Sequence, residues 1–398
     1  MLLNIAILAT VLAISLLLWS PRVRRSIVWR AVTTPLASII GSGFLVLGPI
    51  LDSAYGKYAP LVMAGLCAGA FVFAYAIQYN IVAISRGDRG RIVDRLETVS
   101  SWALGFAYII STAYYLNLFG AFSVSLTAVN DPLHARLMTS AVFIVIAFVG
   151  WTRGFKALEG MEYVSVSAKL AIIAGLLVAL AAYFHGLATD GGLKFNAPDL
   201  SGWPALTLAF GLIITVQGFE TSRYLGVEYD SRTRIVSMRV ALIVSTAIYM
   251  TYILLLVFLF ERSSFVLSET VIVDMMGIVA PILPFLLVTA ALAAQFSAAV
   301  ADTSGSGGLF HELTRNRISP RLGYLILTIV GLVLTWTIDI FDIISFASRA
   351  FAIYYALQAA IAAITARQAA EARWRIALFA ALAVLGVAIV IFGQAVEN

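Results

Sequence analysis

Ala37-Ser38-Ile39-Ile40-Gly41-Ser42-Gly43-Phe44-Leu45-Val46-Leu47-Gly48-Pro49 is the stretch on which the reading of the chain turns. With its flanks the segment is long enough to cross a bilayer, yet two glycines near its middle each cost a helix about 1 kcal/mol relative to alanine. The helix is therefore expected to break at Gly41-Ser42-Gly43. Irregular backbone at membrane depth survives only where it is buried in protein or lines a watery cavity, so a break points to a site. The alternative is that the glycines let a neighbouring helix pack closely, as small residues do in membrane bundles.

The composition puts this segment in context. Of 398 residues, 61% are hydrophobic and 12% charged, and the mean hydropathy is +0.96. Apolar runs of bilayer-spanning length recur from end to end, which excludes a soluble domain and makes the fold class all-α and polytopic. Cys67 is the single cysteine and lies inside an apolar run, so disulfides and multi-thiolate metal sites within the chain are excluded.

Twelve spans follow from the apolar runs. A leader runs from about Leu2 to Ser20. Spans 1 to 5 cover about 33–55, 59–85, 98–127, 136–152 and 161–185, and spans 6 to 11 about 204–226, 238–260, 282–312, 323–339, 343–365 and 374–394. The leader lacks a basic n-region and has its arginines after the apolar run, so it reads as a helix inserted with its N-terminus outside rather than as a cleaved signal. Loops at one face then carry 20 of the 26 lysines and arginines, among them Arg22, Arg24, Arg25, Arg30, Arg232 and Arg234. The other face has Lys57, Arg136, Lys194 and Arg262. That segregation assigns the arginine-rich loops to the cytoplasm, and one span more or fewer would scramble it. The net charge of +5 is thus a topology signal rather than a sign of nucleic-acid binding. The expected location is the bacterial cytoplasmic (inner) membrane.

Charges inside spans are costly and usually functional. Lys169, Glu220, Asp302 and Arg349 lie in spans 5, 6, 8 and 10, and Arg349 is close enough to a span end to snorkel. At 1.5 Å per residue, Gly41 and Lys169 sit roughly 12 Å from the arginine-rich face and Asp302 roughly 15 Å. Mutual pairing or ion binding is the least costly arrangement for Lys169 and Asp302 at that depth. A second break is expected in span 6, where Thr215-Val216-Gln217-Gly218-Phe219-Glu220-Thr221-Ser222 crowds polar residues into an apolar run. Spans 1 and 6 begin two five-span halves of opposite sense, the pattern of inverted-repeat secondary transporters. The division expected is 1–31 (leader and basic loop), 32–185 (first repeat), 204–366 (second repeat) and 367–398 (last helix).

Ile39-Ile40-Gly41-Ser42-Gly43-Phe44 resembles the span 1 signature of the amino acid-polyamine-organocation (APC) transporter superfamily, which has the LeuT-type fold. Gly218-Phe219-Glu220 with Glu228 beyond it is similar to the family's span 6 pattern, and Ser165-Val166-Ser167-Ala168-Lys169-Leu170 to its span 5. The basic loop from Arg315 to Pro320 fits as well, so the likeness covers about Thr33 to Arg367. The leader helix and Gly307-Gly308, where many members carry Ser-Arg, depart from the pattern.

What the resemblance implies is a transporter of an amino acid or related small organic solute, working by alternating access without a cofactor. A solute carboxylate would take the N–H groups of Ser42 and Gly43, and a solute amine the carbonyls of Ile39, Ile214 and Gln217; Gly41, Thr215, Gly218 and Glu220 complete the expected substrate site. In proton-coupled members a lysine in the place of Lys169 sits where sodium-coupled relatives bind sodium. Lys169, Asp302, Thr303 and Ser304 are accordingly the expected ion-coupling residues, with H+ favoured over Na+ and Asp302 as the local counter-charge of the lysine. Tyr114, Tyr115 and Asn117 either line the same cavity or pack, packing being commoner for aromatic residues there.

Two other classes stand beside this one. A membrane-embedded enzyme is disfavoured because His134, His185 and His311 fall at span ends or in loops and no HExxH motif occurs. A transport-fold receptor or assembly subunit would differ from a carrier only in solute flux.

Overall fold

A computed structural model describes residues 2–41, 43–86, 90–152, 156–225, 229–314 and 317–395. The described chain is helical along its apolar runs, with interruptions in spans 1 and 6. The helices are α1 (Leu2–Trp19), α2 (Pro21–Arg24), α3 (Ile27–Ile39), α4 (Gly43–Tyr55), α5 (Ala59–Arg86), α6 (Arg91–Val124), α7 (Pro132–Thr152) and α8 (Lys156–Thr189). They continue with α9 (Gly202–Gly211), α10 (Thr221–Tyr224), α11 (Ser231–Leu256), α12 (Val271–Val279), α13 (Leu283–Leu313), α14 (Pro320–Thr337), α15 (Ile340–Gln368) and α16 (Arg373–Phe392). Ten stretches among the described residues are long and apolar enough to cross a membrane, one of them running from Gly43 through α5 to Ser85. The difference from twelve arises where the chain is interrupted: span 1 is divided into α3 and α4, and span 6 into α9, a 3-10 turn (Ile213–Val216) and α10.

Helix ends are written in the sequence. Ser26, Ser319 and Asp339 cap α3, α14 and α15 by accepting the N–H of Trp29, Leu322 and Phe341. Asp230 does the same for α11 through Thr233, and those bonds hold its exposed carboxyl below the usual carboxylate range. The α6 helix is the axis of the molecule, with 72% of its apolar window buried, and it packs on α7, α13, α14 and α15. The leader α1 is the most peripheral, at 11%, and lies along α8. Its contact is specific all the same: Tyr163 donates to the carbonyl of Leu18 at 2.6 Å.

Sequence reading did not find α12, whose nine residues are too few to span a membrane. It buries Val271, Ile272, Val273, Met275 and Met276 against α4, α8 and α13 at the end opposite the arginine-rich loops. At that same end Asn196 donates to Asp52 on α4 at 3.1 Å, and Arg262 pairs with Asp199 at 2.6 Å while donating to the carbonyl of Ser53. The α4 end of the first interrupted span is therefore tied to the loops that cover it.

Candidate functional site

The two interruptions lie directly against each other. The α3 helix ends at Ile39 and α4 begins at Gly43; Gly41 between them is buried, and Ser42, expected to offer an N–H to the solute, lies outside the described residues. A Cβ on Gly43 would stand 2.8 Å from Thr215 Cα, and one on Gly218 would stand 2.6 Å from Ile39 N. Only glycine permits either approach, and Gly218 also has φ +119°, a backbone conformation that other residues rarely adopt. The glycines of both breaks thus serve close backbone contact between breaks.

Each remaining polar group can be placed. The carbonyl of Ile39 and that of Thr215 lie 2.9 and 2.6 Å from the Tyr249 hydroxyl on α11. Ile214 N–H donates to Ser348 Oγ at 3.1 Å, and Ser348 in turn donates to Gly211 O at 2.6 Å, so α15 bridges the end of α9 to the 3-10 turn. The Thr215 hydroxyl is spent on Leu212 O. Gln217 Nε2 donates to Tyr115 at 2.6 Å, and its Oε1 has no partner among the described residues. Glu220 Oε2 accepts from Gly218 N–H and from the Tyr355 hydroxyl, both at 2.9 Å, whereas its Oε1, fully buried, has no partner among the described residues. Phe219 stacks on Tyr355 with ring centroids 5.2 Å apart.

Of the three helix α6 candidates, Tyr115 reaches the second break, where it accepts from Gln217, and Asn117 does not. The latter donates to Thr335 on α14 at 2.9 Å. Tyr114 packs at 5.4 Å beside Tyr115.

The ion-coupling residues divide between two places. Lys169 is fully buried, and its Nζ donates at 2.7 Å to Ala37 O, a carbonyl in the last turn of α3, where helix carbonyls run out of intrahelical donors. An ammonium at a helix C-terminus is also favoured by the helix dipole. Asp302 faces the other way, towards α6, where Ser111 donates to its Oδ2; no ion pair among the described residues joins it to Lys169. Thr303 gives its hydroxyl to Ala299 O within its own helix. The side chain of Ser304, Glu228 and Arg315 lie outside the description. Arg349, half-buried, donates to Gly393 O, capping α16 as Lys169 caps α3.

A cluster at the arginine-rich end escaped sequence reading. Arg223, three residues beyond Glu220, is buried on α10, pairs with Glu97 of α6 and donates to Gln358 of α15. Gln358 donates to Ser100 at 2.8 Å and accepts from Asn80 of α5. An arginine so soon after a break is the available signal, though by position alone Arg223 counts among the 20 charges of the arginine-rich loops. Among the described residues no three His, Cys, Asp or Glu side chains gather as metal ligands would.

Residues 21–393 match the sequence model of a family described as APC superfamily transporter, a match that begins just after α1. A protein of Aquifex aeolicus (strain VF5), described as an uncharacterized protein, is 40% identical over 386 residues, covering 95% of this chain and 94% of that one.

Proposed function

The chain belongs to the APC superfamily of transporters, and from that premise we propose that it is a proton-coupled secondary active transporter of an amino acid or related small organic solute, working by alternating access. Spans 1–5 and 6–10 are its inverted repeats, and the arginine-rich loops face the cytoplasm of a bacterial cell whose inner membrane holds it. The solute binds where α3–α4 and the 3-10 turn meet, its carboxylate at the start of α4 and its amine at the carbonyls of Ile39, Ile214 and Gln217. Glu220, with one oxygen free of partners in a buried site, is the group that takes up and releases a proton as the site is hydrated and dried.

The observation that carries proton coupling is the bond from Lys169 to Ala37 O at 2.7 Å. It supplies, at the end of the half-helix α3, the positive charge that a bound sodium ion would otherwise bring. Release of the lysine's proton would loosen α8 from α3 and favour the inward-open state. A sodium-coupled symporter remains the second reading because Asp302 keeps an oxygen without a partner among the described residues.

Uptake into proteoliposomes under an imposed pH gradient, with and without sodium, decides between them for the natural protein, Lys169→Ala and Asp302→Ala. Proton-driven uptake that needs no sodium and falls at least about ten-fold in Lys169→Ala is the expected result, the size of the stronger helix-end charge contacts. Sodium-dependent uptake that survives Lys169→Ala but not Asp302→Ala would overturn it. A receptor or assembly subunit would give no flux of any solute.

A further inference from the structure

Tyr249 belongs to neither of the expected residue sets, yet its hydroxyl stands between the two breaks. The ring is buried, on α11, and packs 5.6 Å from the Phe44 ring at the start of α4. Its Oη lies 2.9 Å from the carbonyl of Ile39, the last residue of α3, and 2.6 Å from the carbonyl of Thr215 in the 3-10 turn. Both carbonyls are helix-end acceptors at the negative end of a helix dipole, and both are buried, so each needs a donor. One hydroxyl has one proton. It can satisfy one carbonyl fully and share itself poorly with the other, whereas an ammonium has three donors and a charge suited to both.

We propose that Tyr249 is a positioning residue whose hydroxyl stands in for the solute's amine at the two breaks, so that the carrier closes and returns when no solute is bound. The inference rests on the alternating-access reading above. A carrier that performs net transport closes twice per cycle, once with solute and once without. With solute, the amine takes the Ile39 carbonyl and leaves the tyrosine proton to that of Thr215; without it, Gly43 packs on Thr215 and Gly218 on Ile39, and the tyrosine proton is the donor that keeps both carbonyls from being buried unpaired. The same hydroxyl competes with the amine, which tunes affinity in the opposite direction.

Tyr249→Phe removes the proton and keeps the ring against Phe44. Reconstituted into proteoliposomes with an amino acid that the natural protein carries, the variant should lose about ten-fold in net uptake into unloaded vesicles. Exchange in vesicles preloaded with the same amino acid should stay within about two-fold, and KM should not rise. Exchange needs only the loaded closure, so it also certifies that the variant is folded. Equal losses in both modes, or no loss in either, would overturn the proposal. Should the variant not fold, 3-fluorotyrosine at position 249, a stronger donor in the same shape, carries the test: solute affinity should fall at least about two-fold, and unchanged affinity overturns the proposal. Failure of the natural protein to carry any amino acid would count against the function proposed above and leaves a distinct signature, since neither mode would then run.

Discussion

The two breaks are built from opposite resources. The first, between α3 and α4, has little polarity of its own, and its orphan backbone groups are served from other helices: Ala37 O by Lys169 on α8, and Ile39 O by Tyr249 on α11. The second carries its own chemistry in Thr215, Gln217 and Glu220 and is anchored to α15 through Ser348 and Tyr355. A rod held by donors from its neighbours is released when those donors change state, whereas a break tied into α15 moves with the helix it is bound to. Under the proposed function, this difference makes the first break the part expected to move and the second, with its own polar side chains, the larger share of the recognition that both breaks supply.

The largest effect should come from filling the contact between them. In Gly43→Val the new Cβ would enter Thr215, and in Gly218→Val it would enter the Ile39 backbone while adopting a φ that a β-branched residue strongly disfavours. Both variants should lose solute binding by more than about 100-fold, measured by solute-induced thermal stabilisation, and both should lower the melting temperature of the solute-free protein, Gly218→Val by more, because there the strained φ adds to the clash. Unchanged affinity in Gly43→Val would show that this glycine serves helix packing rather than the solute.

How much of this was legible in the sequence depends on the kind of signal. Gly41, Gly43, Gly218, Glu220 and Lys169 stand out because glycine pairs and charges are expensive inside apolar spans, and all of these described residues lie at or beside the breaks. Rise along a helix can be reckoned from the sequence, but azimuth cannot: each residue turns the side chain by about 100°, and Asp302, expected to pair with Lys169, faces Ser111 on α6. Tyr249, Tyr355 and Ser348 carry no signal, since tyrosine and serine inside a span are commonplace until the packing shows what they touch. The ion pair of Arg223 with Glu97 joins residues 126 positions apart, a separation that only the packing of α10 on the bundle resolves.

Glu220→Gln should have a smaller and more selective effect. The amide keeps an oxygen for Gly218 N–H and Tyr355, so the bonds that hold the second break survive and the melting temperature should stay within about 2 °C. What it removes is the ability to take up and release a proton. Proton-driven uptake should fall at least about ten-fold and lose its pH dependence, while solute binding to the purified protein persists. Normal transport at every pH would reduce Glu220 to a structural acceptor and weaken the division between a moving break and a recognising one.

The smallest effect, and the one that tests whether the breaks are separate at all, is expected from Ser348→Ala. The serine hydroxyl accepts from Ile214 N–H at 3.1 Å and donates to Gly211 O at 2.6 Å, both buried. Its loss leaves one donor and one acceptor to find partners, a cost of about 1–2 kcal/mol if water or a neighbour takes over in part. Hydrogen exchange at the Ile214 amide should then speed up by about 5–30-fold, with a shift of only a few degrees in melting temperature. The informative residue is Ile40, whose N–H donates to Leu36 O at 3.1 Å in the last turn of α3. If the first break is served by Lys169 and Tyr249 independently of α15, exchange at Ile40 should not change. If it rises together with Ile214, loosening has passed through the Thr215 carbonyl, the Tyr249 hydroxyl and the Ile39 carbonyl, and the two breaks act as one unit with a shared donor.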